Sequence, residues 1–86
     1  MTYMVEGTPK QAPSQEMLAL IPAEMERGKA FDAQGLRSAI YVAADLSKVW
    51  QIFTATSPEE VQRALEWLPL YRFTVYTITP LADNPQ

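Results

Sequence analysis

Hydrophobic and polar positions alternate, then fall into helical spacing, and then alternate again along this chain. Thr2-Tyr3-Met4-Val5-Glu6 is a β-prone run, with Gly7 as its expected end. Thr8 to Pro13 contains two prolines and reads as an extended connection. Ser14 suits a helix N-cap and Gly35 a C′ position, which predicts a helix from Ser14 to Gln34. Pro22 removes a backbone donor within it, so the helix is expected to bend there and continue. After Gly35 the period becomes two. Leu36, Ser38, Ile40 and Val42 are expected on one strand face, with Arg37, Ala39, Tyr41 and Ala43 on the other. Asp45-Leu46-Ser47 is turn chemistry, and Lys48 to Ala55 completes a hairpin. Ser57-Pro58-Glu59-Glu60 sets serine at N-cap, proline at N1 and glutamate at N3, which predicts a helix to about Trp67. Val61, Ala64, Leu65 and Leu68 form its apolar stripe and Pro69 ends it. A last strand is expected from Arg72 to Thr79, stopped by Pro80.

This order, β-α-β-β-α-β, predicts an α+β ferredoxin-like sandwich in which two helices cover one face of a four-stranded antiparallel sheet. Residues 1–86 form one domain, with 82–86 as a short polar tail. The hairpin's second strand and the last strand are read as the inner pair. On both, large apolar groups fall on each face: Phe53 against Trp50 and Ile52, and Val75 against Tyr76 and Ile78. A solvated second face would instead show polar residues. That face is therefore expected to be covered by a second copy of the chain, giving a homodimer whose sheets pair. A charge at Phe53 or Val75 is expected to disturb core or interface, the inward face being ambiguous by one residue.

Composition narrows the chemistry. The chain has 86 residues, with no cysteine and no histidine. That excludes disulfides, thiolate nucleophiles, the Ser-His-Asp triad and histidine-bearing zinc sites. The formal charge is −3 and the basic residues are scattered, so neither nucleic acid nor a membrane surface is an expected partner. No apolar run approaches a membrane span, no signal sequence opens the chain, and a cytoplasmic location is the expectation. There is no glycine-rich phosphate loop, no dinucleotide fingerprint and no acidic cluster of metal-ligand spacing, hence no expected cofactor or metal.

Acid–base work then falls to carboxylates, tyrosines and lysines. Glu24 shares a helical stripe with Met17, Ile21, Gly28 and Phe31, and desolvation there would raise its pKa toward the range of a general base. The alternative centres the stripe on Leu18 and Met25 and leaves Glu24 at the surface. Arg37 and Tyr41, four apart on a strand, are expected on one face, where an arginine can grip a substrate carboxylate through two parallel hydrogen bonds. Trp50 and Trp67 read as packing groups, and Trp50 is also a candidate to line a ligand site.

Leu68-Pro69-Leu70-Tyr71, followed by Val75-Tyr76-Thr77-Ile78-Thr79-Pro80-Leu81-Ala82 and Asn84-Pro85, is similar to the C-terminal signature of the muconolactone delta-isomerase family. The likeness runs back through Gln51-Ile52-Phe53 and Ser57 to Gly35, about two-thirds of the chain. It implies a ferredoxin-like subunit that pairs through its sheets and can assemble into rings of dimers. It also implies cofactor-free isomerisation of a lactone, in which a carboxylate takes a proton from a ring carbon and a proton returns elsewhere. The family's helix glutamate falls on Glu24. On the first strand, Met4 and Glu6 stand where the family carries a histidine and an arginine, making Met4 a candidate substrate contact. Gly35-Leu36-Arg37-Ser38-Ala39 replaces a Gly-Lys-Trp-Arg-His segment, which leaves Arg37 as the nearby cation, one position displaced and so turned to the opposite strand face.

The expected function is a cofactor-independent isomerase that shifts a double bond in a small lactone, with Glu24 as proton shuttle. The alternatives are a non-catalytic homo-oligomeric module binding a small apolar or lactone-like ligand, and a cofactor-free oxygenase on the same scaffold.

Overall fold

The computed structural model describes residues 1–82, so the expected tail lies, beyond Ala82, outside the described residues. The chain forms β1 (Thr2–Pro9), α1 (Gln15–Ala33), β2 (Arg37–Val42), β3 (Val49–Thr54), α2 (Pro58–Glu66), a 3-10 turn (Tyr71–Phe73) and β4 (Thr74–Leu81). The sheet is antiparallel with strand order β2-β3-β1-β4, the ferredoxin-like arrangement expected from the element order. No helix among the described residues is long and apolar enough to cross a membrane.

Local chemistry fixes both helix ends as anticipated. Ser14 Oγ accepts from the Met17 N–H (3.2 Å), and Gly35 ends α1 at φ +73, a left-handed conformation that a Cβ disfavours. Ser57 Oγ accepts from the Glu60 N–H (3.2 Å). The returning carboxylate takes the Thr56 N–H (2.7 Å), one residue before the position a capping box would use. The core lies between helices and sheet, built from Tyr3, Val5, Phe31, Phe53, Val61 and Leu65.

Four strand expectations are corrected. Gly7 does not end β1; the strand runs on to Pro9, and Gly7 is needed inside it because a Cβ there would stand 2.8 Å from Val49 and 2.9 Å from Tyr76. The inner strands are β1 and β3, not β3 and β4. As an edge strand, β4 tolerates Pro80 and continues through it to Leu81, while the 3-10 turn delays its start to Thr74. The ambiguity of inward face is also resolved: Phe53 is fully buried under the helices, and Val75 lies on the opposite face, 54% exposed.

The fourth correction bears on the site. Arg37 pairs with Phe53, whereas Ala39 pairs with Ile52 and Ile40 with Gln51, so a bulge falls between Arg37 and Ala39. The extra residue resets the alternation, and Arg37 joins Ile40 and Val42 on the helix-facing side while Tyr41 points to the other. Arg37 and Tyr41 therefore do not share a face.

Candidate functional site

Glu24 sits on the inward stripe of α1. Met17, Gly28 and Phe31 are buried beside it, whereas Leu18 and Met25 are exposed, which excludes the surface-centred alternative. Ile21 departs from the expectation and is exposed. At about 100° per residue it lies some 40° to one side of Met17, with Phe31 about 40° to the other, so the buried arc is shifted toward Phe31. Glu24 Oε1 accepts the Leu70 N–H at 2.9 Å. Leu70 is brought there by the end of α2, where the Leu68 N–H donates to the Leu65 carbonyl and Pro69 prevents further helix. Burial pushes the Glu24 carboxyl above its ordinary value, against the opposing pull of the Leu70 N–H, Arg37 and Arg27.

Two cavities meet at this carboxylate. A small one of about 140 Å³ has Gly7 and Val49 in its floor, with Glu24, Leu70, Lys48 and Tyr76 around it. A larger one of about 340 Å³ runs between α1 and β2, lined by Glu24, Met25, Gly28, Arg37, Ile40 and Val42. The first is the size of a small ring, and the second is apolar, its lining including the exposed Lys29 and a buried cation, Arg37.

That cation is tightly oriented. Arg37 Nε and Nη2 donate to the two carboxylate oxygens of Asp32 (2.8 and 3.1 Å), and Nη1 donates to Gln51 Oε1 (3.0 Å). The side chain of Arg37 is 8% exposed, and Gln51 is buried. The guanidinium holds the Asp32 carboxyl below the usual carboxylate range. It also lies flat against Gly28, where an added Cβ would stand 2.8 Å from Nη2 and 3.1 Å from Nη1. Gly28→Ala is thus expected to move the arginine. Despite alanine's better helix propensity, worth about 1 kcal/mol, the variant should gain less stability than that, because the bonds to Asp32 and Gln51 are strained or lost. Thermal melts of Gly28→Ala and of Lys29→Ala, a neighbouring exposed helix position, measure the difference.

The five candidate residues do not converge in one subunit. Glu24 and Arg37 line the same cavity. Tyr41, Met4 and Trp50 stand on the far face of the sheet, where Tyr41 pairs with Trp50 and Met4 with Ile52. A Lys48–Glu6 ion pair (2.5 Å) borders that face and holds the Glu6 carboxyl below its ordinary value. Sequence reasoning missed Asp32, Gln51 and Tyr76. Gln51 carried a signal, being a polar residue between Val49 and Phe53 on an otherwise apolar strand face. Among the described residues, no three carboxylates gather as a metal site. A cavity of about 420 Å³ at the opposite end of the sheet is lined by Met1, Leu36, Ala55 and Glu60, and its carboxylate is bound to Thr56.

Comparison with known proteins agrees with this architecture. No curated protein sequence matches the chain significantly. Its fold superposes with a TM-score of 0.83 on a crystal structure of muconolactone isomerase at 3.3 Å resolution, at 20% sequence identity over 99% of this chain and 92% of that one. The muconolactone delta-isomerase family profile matches residues 1–86, end to end. On that match the chain belongs to the muconolactone delta-isomerase family.

Proposed function

We propose that the protein is a cofactor-independent isomerase that moves a double bond within a small lactone bearing a carboxylate. The observation that carries this reading is the desolvated Glu24 carboxylate at the junction of a ring-sized cavity and an arginine-lined one. In the reaction, Glu24 takes a proton from a ring carbon and the C–H electron pair moves through the ring to the carbonyl oxygen. The dienolate then recovers a proton from Glu24 at another carbon, so the atoms balance without an oxidant or reductant. Arg37 anchors the substrate carboxylate. Its guanidinium has five N–H donors; three are bound to Asp32 and Gln51, which leaves two for a ligand. Family membership supports the reaction class, and the bulge at Ser38 supports Arg37 as the anchor despite its displaced position in the sequence.

Proton NMR of muconolactone in D₂O tests the reading. Double-bond migration or deuterium uptake in the presence of the protein is the expected result, uptake reporting exchange of the Glu24 proton with solvent before it returns. A spectrum unchanged by the protein, with muconolactone in excess, would overturn it.

The far face of the sheet belongs to the same proposal, as the surface through which two copies pair. It presents Met4, Trp50, Ile52, Tyr41 and Val75, an apolar patch that a lone subunit of this size would leave in water. On this view Tyr41, Met4 and Trp50 contribute to assembly, and only through it to ligand binding. Met4→Asp, at the centre of the patch, is expected to shift sedimentation from dimer or larger to monomer. A wild-type protein that already sediments as a monomer refutes the pairing.

A further inference from the structure

An enolate intermediate needs a hydrogen-bond donor at its oxygen as well as a base at its carbon. Three side chains around the small cavity carry donors: Lys48, Thr74 and Tyr76. The Lys48 ammonium is drawn to Glu6 at the opposite face of the sheet, at 2.5 Å. The Thr74 hydroxyl donates to the Leu70 carbonyl at 3.0 Å. The Leu70 N–H is bound to Glu24 itself. Tyr76 remains. We propose that the Tyr76 hydroxyl donates a hydrogen bond to the oxyanion formed when Glu24 deprotonates a lactone in this cavity. The assignment rests on the isomerase reading of the site.

The ring of Tyr76 is fixed from two sides. It lies across β1 at Gly7, its cross-strand partner, where no side chain larger than hydrogen fits beneath it. Its other neighbour is Tyr71, stacked at 6.1 Å between centroids with 17° between planes, and Tyr71 is itself tied by its hydroxyl to Gln62 Nε2 (2.8 Å). A donor held this way reorganises little as charge develops on the substrate. Burial, reinforced by the nearby Glu24 charge, pushes the Tyr76 phenol up to about 12, so it keeps its proton at neutral pH. No proton is transferred from Tyr76; it donates throughout, and Glu24 alone carries the migrating proton.

Tyr76→Phe keeps the ring and its stack and removes only the hydroxyl. Two measurements are made on it. Turnover of muconolactone is expected to fall about 10²–10³-fold in kcat with KM little changed, as when one oxyanion donor is lost. Calorimetric binding of tetronate, the stable enolate of a five-membered lactone, is measured in a Glu24→Gln background, where no carboxylate repels the anion. There Tyr76→Phe is expected to weaken binding about tenfold or more. If the wild type leaves muconolactone unchanged, the isomerase reading fails, and hydroxyl-dependent tetronate binding still establishes the oxyanion site. If tetronate binds equally with and without the hydroxyl, or does not bind at all, the assignment of Tyr76 is overturned whatever the turnover.

Discussion

Glu24→Gln is expected to lower muconolactone turnover about 10²–10⁴-fold, the contribution of a positioned general base. The substitution is close to isosteric, and the glutamine Oε1 can still accept the Leu70 N–H, so the loss reports the proton-transfer role and not the packing. The pH profile gives a second test. Burial raises Glu24 above its ordinary 4.5, so the acid limb of kcat/KM should lie above that value, with activity gained as pH rises through it. Stability should run the other way. Because the folded state binds this proton more tightly than the unfolded one, Glu24 contributes most favourably below pH 4.5, and that contribution is lost as pH rises through the raised pKa. Glu24→Gln, neutral at every pH, is therefore expected to melt higher than wild type near pH 7, an advantage that disappears on acidification below 4.5. An inactive variant that melts lower than wild type at neutral pH would mean that the residue is structural.

Phe53→Ala is expected to have the largest effect on folding. Phe53 is fully buried at the centre of β3, and its ring meets Phe31 of α1 edge-on, 5.7 Å between centroids at 62°. Truncation removes the contact that seats α1 on the sheet and leaves a cavity lined by Tyr3, Val5 and Leu65, at about 3–5 kcal/mol. Against a domain stability of about 5–15 kcal/mol, that lowers Tm on the order of 20 °C or unfolds the protein at room temperature. The same truncation at Met25 of α1, 60% exposed, should change stability by only about 0.5 kcal/mol or less. Thermal melts of the two variants separate these cases, and equal losses would mean that the core is not where this fold puts it. Since Glu24 is carried by α1, residual Phe53→Ala protein should also have lost its turnover.

Glu24 and Arg37 were legible in the sequence to different degrees. Glu24 is a candidate from one helix because helical periodicity is local and groups it with Met17, Gly28 and Phe31, but choosing that arc over one centred on Leu18 and Met25 takes the packing of α1 on the sheet. Arg37 was recognised as a cation near the site but assigned to the wrong strand face. Strict alternation from Leu36 to Ala43 has no local signal for an inserted residue, and Ser38 is an ordinary strand position until pairing with β3 makes it the bulge. The shared face of Tyr41 and Arg37 fails for the same reason, since it depended on unbroken alternation. Gln51 and Tyr76 acquire their roles only from neighbours distant in the chain, such as Arg37, 14 positions from Gln51, whereas Asp32 bonds Arg37 only five positions on and has its role through that arginine's changed face.

The number, type and order of the elements, the caps at Ser14 and Ser57 and the stop at Gly35 are all set by the local pattern of the chain. These follow from capping hydrogen bonds, glycine and proline stereochemistry and periodicity, all of which act within a few residues. The tertiary structure decided which strands are central, which face of β3 and β4 is buried, where the bulge falls, and that Tyr76 lies in the cavity of Glu24. Those outcomes depend on register between strands, and register is set by how all the apolar faces are buried together.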